Sequence, residues 1–266
     1  MQYQIQEVKC AANLFSKYDF CLVLHPINLV SLDVIADSGF LQKVITLSLF
    51  HTCGLFGAEE NASKLPEIIK IKEGVYQFGS VIIDRKKNSL SIPAVSNQVN
   101  GLVEYGIVHE NGKIHESLFR TKVRPQILHT SLLLLKAKPV GTFFDNLWSE
   151  KPKLIDYSKD CFEISVFWEN NGTKSEKKIE KLSINQIRKG NVEKKSFIFT
   201  GSRMVEGTFL AESSGSILAI YADDNAILNN SDYDSANDDV WIANEKEMPP
   251  LELPVTIRFN LPMDLD

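Results

Sequence analysis

The chain has 266 residues, 44% of them hydrophobic, enough to bury a sizeable core as one large domain or two small ones. Its 29 basic and 34 acidic side chains leave a net charge of −5, which does not point to nucleic acid as a partner. No apolar run reaches the roughly 18 residues of a spanning helix. Nor is there a coiled-coil composition, a short-period repeat or a glycine-rich phosphate loop.

The first signal along the chain runs from Lys43 to Ala58, where one positive charge precedes a mostly apolar stretch with small residues, before the abrupt acidic start Glu59-Glu60. That order resembles a secretory signal peptide, so residues 1–58 read as a leader region with the signal at about 41–58. The signal is deep for a leader, which a true start at Leu41 explains; a buried helix or strand pair is the alternative. Cleavage near Ala58 removes Cys10, Cys21 and Cys53 and leaves Cys161 alone. No internal disulfide and no cysteine metal site are then expected. Cys161 precedes the aromatic run 162–168 and reads as a small core residue rather than a nucleophile.

Residues 75–84 predict a strand, ended by the charged turn 85–88, and 90–92 predict a second. The strongest local signal is 102–109, then Asn111-Gly112, then 114–121. An Asn-Gly pair between two β-rich runs predicts a two-residue hairpin, because both turn positions need positive φ. Pro125 opens a helix that runs through Leu132, Leu133, Leu134 and Leu135 to Lys136, and Lys138-Pro139-Val140-Gly141 stops it. From Phe162 the signals return to strands, with a turn at 170–173 and a lysine-rich edge strand at 174–181. Strands follow at 196–200, 207–211, 216–221 and 255–259, and Asp223-Asp224 reads as the start of a short helix. From Asp223 onward the chain carries eleven acids against two bases, a net charge of −9. The fold class is α+β: a mainly antiparallel β-sheet with a leucine-rich helix packed on it, in one domain over residues 59–266.

Several runs, taken in order, resemble the YdjY-type domain family. They are Gly101-Leu102-Val103-Glu104-Tyr105, Gly112-Lys113-Ile114-His115-Glu116-Ser117-Leu118 and Leu132-Leu133-Leu134-Leu135-Lys136-Ala137-Lys138-Pro139, followed by Phe199-Thr200-Gly201-Ser202, Gly215-Ser216-Ile217-Leu218-Ala219 and Asp239-Val240-Trp241. The resemblance extends over about 101–259. The resemblance implies an exported bacterial protein of unassigned function and supplies no catalytic residues. Some such proteins carry a ferredoxin-like label, but a cluster usually needs four thiolates and the mature chain has one.

With Asn111-Gly112 as the loop, the hairpin places Glu104, His115 and Ser117 on one face, and Tyr105, His109 and Glu116 on the other. Ser117, His115 and Glu104 supply the residue types of a nucleophile triad. Same-face neighbours stand roughly 6.5–7 Å apart at Cα, however, against the 2.6–3.2 Å that a nucleophile and its base require. No Gly-x-Ser-x-Gly elbow accompanies them. On the mainly apolar face, Glu116 needs Tyr105, His109 or the helix residue His129 to satisfy its carboxylate. Such a cluster fits zinc or acid–base work, or a purely structural hydrogen-bonded element. If the helix covers the other face, Glu104 takes that place.

The segment 229–239 offers Asp232, Asp234, Asp238 and Asp239 as calcium-type ligands without matching an EF-hand; a solvated acidic loop is the plainer reading. The lysines of 174–195 alternate with acids and read as a solvated face. The leading expectation is an exported, non-enzymatic binding or accessory module of the bacterial envelope, secreted or periplasmic. It has no resident cofactor and no membrane span in the mature chain, and it acts through its β surface on a protein or small-molecule partner. The second is a metal-dependent enzyme, possibly a hydrolase, centred on Glu116, His109 and His129.

Overall fold

The computed structural model describes residues 65–262; the leader region with its signal at 41–58, and Cys10, Cys21 and Cys53, lie outside the described residues. In chain order the elements open with β1 (Ile68–Lys72), β2 (Val75–Phe78), β3 (Val81–Asp84), β4 (Ser89–Ser96), β5 (Tyr105–His109) and β6 (Ser117–Thr121). Two helices follow, α1 (Pro125–Leu134) and α2 (Phe143–Leu147), then β7 (Glu163–Asn170), β8 (Thr173–Lys178), β9 (Ser183–Asn185), β10 (Gly190–Asn191) and β11 (Phe197–Phe199). The chain ends with β12 (Met204–Val205), β13 (Thr208–Phe209), α3 (Leu210–Ser214), β14 (Ser216–Ala219), β15 (Leu228–Asn230), β16 (Trp241–Ala243) and β17 (Pro254–Asn260). The predicted strand at 75–84 is two strands turned at Gly79, whose φ is 58°. Asp223-Asp224 lead through a turn into β15, not into a helix.

Twelve strands form one mixed sheet, organised around β4. One edge of β4 pairs with β17 along its whole length, from Ser89↔Asn260 to Val95↔Pro254. Its other edge is divided: Leu90 and Ser91 pair with β3, and Val95 and Ser96 with β6. Beyond β17 lie β7 and the edge strand β8, so β8-β7-β17-β4-β3-β2-β1 is a continuous antiparallel wing. The other branch runs β6-β5-β14-β15-β11 and contains two parallel pairs, β5 with β6 and β14 with β15.

Alternation separates the two faces of the wing. Ile83, Leu90, Phe259 and Ile164 stand opposite one another across four strands and are at most 1% exposed. The adjacent row holds Ile69, Gln77, Ile82, Ser91 and Arg258, and it faces outward. Helix α1 begins at Pro125 as expected and buries Ile127, Leu128, Leu132 and Leu134. It ends at Leu134 because Lys136 takes a φ of 65° and the Ala137 N–H returns to the Leu132 carbonyl at 3.0 Å, an αL stop. The helix packs on β3 and α3.

The hairpin expected at Asn111-Gly112 is corrected. Strand β6 runs parallel to β5, with Tyr105 opposite Ser117, Ile107 opposite Phe119 and His109 opposite Thr121. The chain therefore doubles back through residues 110–116, ending in a 3₁₀ turn, Ile114–Glu116. Neither Asn111 nor Gly112 has positive φ. Gly112 is needed for a different reason: a Cβ there would lie 2.8 Å from the Ser214 carbonyl oxygen and 3.1 Å from the Gly215 Cα. The returning segment is tied down by Asn97, which donates to the Ile114 and Ser117 carbonyls, and by the Glu104 N–H on the Glu116 carbonyl. The turn chemistry of an Asn-Gly hairpin appears instead between β7 and β8, where Asn171 and Gly172 have φ of 51° and 76°.

These glycines differ in what they protect. Gly172→Ala, with positive φ but open space around it, costs about 1 kcal/mol for the backbone alone. Gly215→Ala meets positive φ and a Cβ 2.8 Å from the Gly112 Cα, so a loss of about 3 kcal/mol is expected. Urea midpoints of the two variants check the order.

Candidate functional site

The parallel register brings Glu104 beside Glu116 and turns Tyr105 toward the start of β6. Lys113, in the crossover, sits over this end of the strands. Its Nζ is 3.0 Å from the Tyr105 hydroxyl, 3.4 Å from Glu116 Oε1 and 3.6 Å from Glu104 Oε2. The Tyr105 ring is buried, and its hydroxyl accepts from Lys113 while donating to Asp223 Oδ2 at 2.8 Å. Asp223 is fixed in turn by the Asn225 N–H on its Oδ1 and by its own N–H on Asn229 Oδ1. The result is a relay of ammonium, phenol and carboxylate, flanked by two further carboxylates.

Burial, then the neighbouring Glu116, pushes the Glu104 carboxyl above its ordinary range. Burial likewise raises the Tyr105 phenol, so it stays a neutral donor. For Lys113 burial works downward, but the Tyr105 hydroxyl, Glu116 and Glu104 outweigh it and the ammonium is held charged. The arrangement stabilises one cation among acidic side chains and fixes a phenolic proton toward Asp223. Sequence reasoning had found Glu104, Tyr105 and Glu116. It missed Lys113, which follows the Asn-Gly pair directly, and Asp223, which no local pattern connects to β5.

The other candidates go elsewhere. The Ser117 hydroxyl is buried and donates to the Lys113 carbonyl at 2.5 Å, closing the crossover, and its side chain shares the face of Tyr105 rather than that of Glu104. His115 is exposed, with Nε2 3.7 Å from Glu116 Oε2. His109 lies at the far end of β5, level with Thr121 and so about 16 Å along the strands from Glu116. Its Nδ1 accepts from the Asn111 N–H, and it lines a polar cavity of about 280 Å³ with Arg124 and Glu212. His129 packs between the rings of Phe199 and Phe209, at 5.6 and 5.0 Å, and burial pulls it down to about 4. Glu116, His109 and His129 are thus not brought together. Cys161 is buried and donates to the Tyr157 carbonyl, and burial pushes its thiol up to about 12.

The aspartate loop is organised by an arginine. Asp232 is buried and takes Arg188 Nη2 on both oxygens, at 2.7 and 3.0 Å, along with the Glu193 and Asp234 N–H groups. Asp234 accepts from Arg188 Nε at 2.9 Å and from Asn185 Nδ2 at 2.8 Å. The guanidinium also lies 5.7 Å from the centroid of the buried Trp241. Asp238 and Asp239 are exposed and outside this network. Among the described residues, no three His, Cys, Asp or Glu side chains are gathered as metal ligands.

A family model described as the YdjY domain matches residues 81–260, from β3 to the last residue of β17. No curated protein and no solved structure matches the chain.

Removing the guanidinium with Arg188→Met leaves Asp232 buried without its counter-charge, at a cost of about 3–5 kcal/mol. Asp238→Asn should stay within about 0.5 kcal/mol, and chemical denaturation of both variants reads the contrast. His129 predicts an acid limit. As pH falls from 6.5 toward about 4, the unfolded imidazole binds a proton that the native one refuses. Stability therefore drops across that window, by about 3 kcal/mol at its lower end. His129→Phe removes this component, so its stability profile against pH should be flatter than that of the parent chain.

Proposed function

Because the chain belongs to the YdjY domain family, we propose that it is a non-enzymatic binding or accessory module of the bacterial envelope, secreted or periplasmic. It meets its partner through the outer face of the antiparallel wing. The observation that carries this reading is the composition of that face. Ile69 and Ile82 are exposed in one row with Arg258, whose guanidinium lies 4.6 Å from the centroid of Phe167 on the neighbouring strand. Pro93 and Thr256 extend the same face into solvent. Apolar groups on a sheet face, rimmed by polar ones, suit recognition.

The engagement of the chemically capable groups supports a binding role. Ser117 is committed to the crossover, Glu116 to Lys113, and His129 to an aromatic sandwich. The apolar run at 44–50, with Lys43 before it and Glu59-Glu60 after, supports export.

Photo-crosslinking tests the reading in living cells. A photoreactive residue at position 82 or 256 should give the same discrete adduct in the envelope fraction, and one at exposed position 187 should not. Adducts from 187 alone, or none from the outer face, would sink it.

A further inference from the structure

Residues 148–156 are exposed at every position, yet they include Trp148, Leu154 and Ile155 at 58%, 94% and 41% exposure. The run is not a loose tail. It is the tip of a loop whose two feet, Phe143 and Tyr157, sit in one buried cluster with Cys161, Ile198 and Ala222, their rings 5.6 Å apart and edge-on. The neck is tied by Asn146, which donates Nδ2 to the Lys153 carbonyl at 2.9 Å and accepts the Lys153 N–H on Oδ1 at 3.0 Å. Trp148 packs its ring against Phe144 at 4.6 Å, and its backbone N–H donates to the Phe144 carbonyl. Backbone and anchors therefore hold three large apolar side chains outward, beside Lys151 and Lys153, which form no ion pair among the described residues. Short loops with adjacent, packed ends are frequently functional.

We propose that this loop is an interfacial wedge that docks the domain on a phospholipid bilayer. Trp148, Leu154 and Ile155 enter the boundary between headgroups and acyl chains, while Lys151 and Lys153 reach the phosphates. A tryptophan with aliphatic neighbours and flanking lysines is the side-chain set that this boundary favours. Area argues for lipid over protein: a stable protein interface buries roughly 800 Å² per partner, far more than three tip side chains supply. Glu150 and Asp156 leave the run near neutral, and Asp156 turns to the Ser158 N–H at the foot, so apolar insertion rather than net charge drives docking. Because the loop is already fixed, insertion costs little ordering.

The test uses the full chain with vesicles of phosphatidylethanolamine and phosphatidylglycerol, in which some acyl chains carry bromine. Brominated lipid should quench tryptophan emission in the parent chain, and Trp148→Phe should abolish the quenching. Leu154→Asp should weaken the quenching-detected partition by about tenfold or more. Both substitutions lie on exposed positions, so circular dichroism and Tm should be unchanged. Quenching that persists in Trp148→Phe overturns the proposal, since another part of the chain then meets the lipid. So does binding that salt removes while Leu154→Asp leaves it intact, which marks surface charge alone. Absence of quenching in the parent chain, or concentration-dependent self-association abolished by Leu154→Asp, overturns it as well.

Discussion

The contact between Gly112 and Gly215 is the constraint on which the centre of the molecule depends. A side chain at either position would run into the other's backbone, at 2.8 Å from the Ser214 oxygen on one side and 2.8 Å from the Gly112 Cα on the other. Only because both lack one can the segment after β5 press against the entry to β14 and return alongside its own strand. Parallel neighbours ordinarily need a crossover of a dozen residues or more. Here seven suffice, because the return is a tight turn and one 3₁₀ turn pinned by Asn97, Ser117 and Glu104. The charge cluster follows from this: the parallel register sets Glu104 beside Glu116 and carries Lys113 over both.

A second division of labour runs through β4. One edge supports a single long antiparallel partner, and the other supports two different branches. The first branch builds a face that is dry on one side and mixed on the other, with Ile83, Leu90, Phe259 and Ile164 as its inner row. The second branch carries the Lys113 network, and the Arg188 network joins the loop after β15 to a separate three-stranded sheet, β10-β9-β16. Both networks keep a cation in a carboxylate setting, Lys113 at one and Arg188 at the other. In each, an internal ammonium or guanidinium offsets the charge of carboxylates that are buried or half-buried.

Local signals in the sequence were dependable where local physics decides. Pro125 and the leucine run specify α1, the alternation of 255–259 specifies the closing strand, and Asn171-Gly172 supplies the positive φ of a tight turn. The family resemblance, carried by runs between 101 and 259, agrees with the matched region 81–260. The failure at Asn111-Gly112 has a definite cause. Identical dipeptides serve two purposes, conformational freedom at one place and close approach at the other, and the second depends on Gly215 about a hundred residues away. The site was half legible for the same reason: Glu104, Tyr105 and Glu116 sit at the starts of two strands close in sequence, whereas Asp223 joins them only through the sheet. Arg188, which pairs with Asp232 and Asp234 of the acidic loop, was invisible among lysines read as a solvated face.

The position of β17 has a consequence for how the chain is made. Its seven residues lie between β4 and β7, pairing with both. Among the described strands all the others precede it in the chain, and β7 and β8 pair with the rest of the wing only through it. Until β17 is present, β4 and β7 each keep an unpaired edge, and the two parts of the wing stay unjoined. Closure is a long-range event, so the order of folding in the wing is set less by which segment is most hydrophobic than by β17 following both of its partners in the chain.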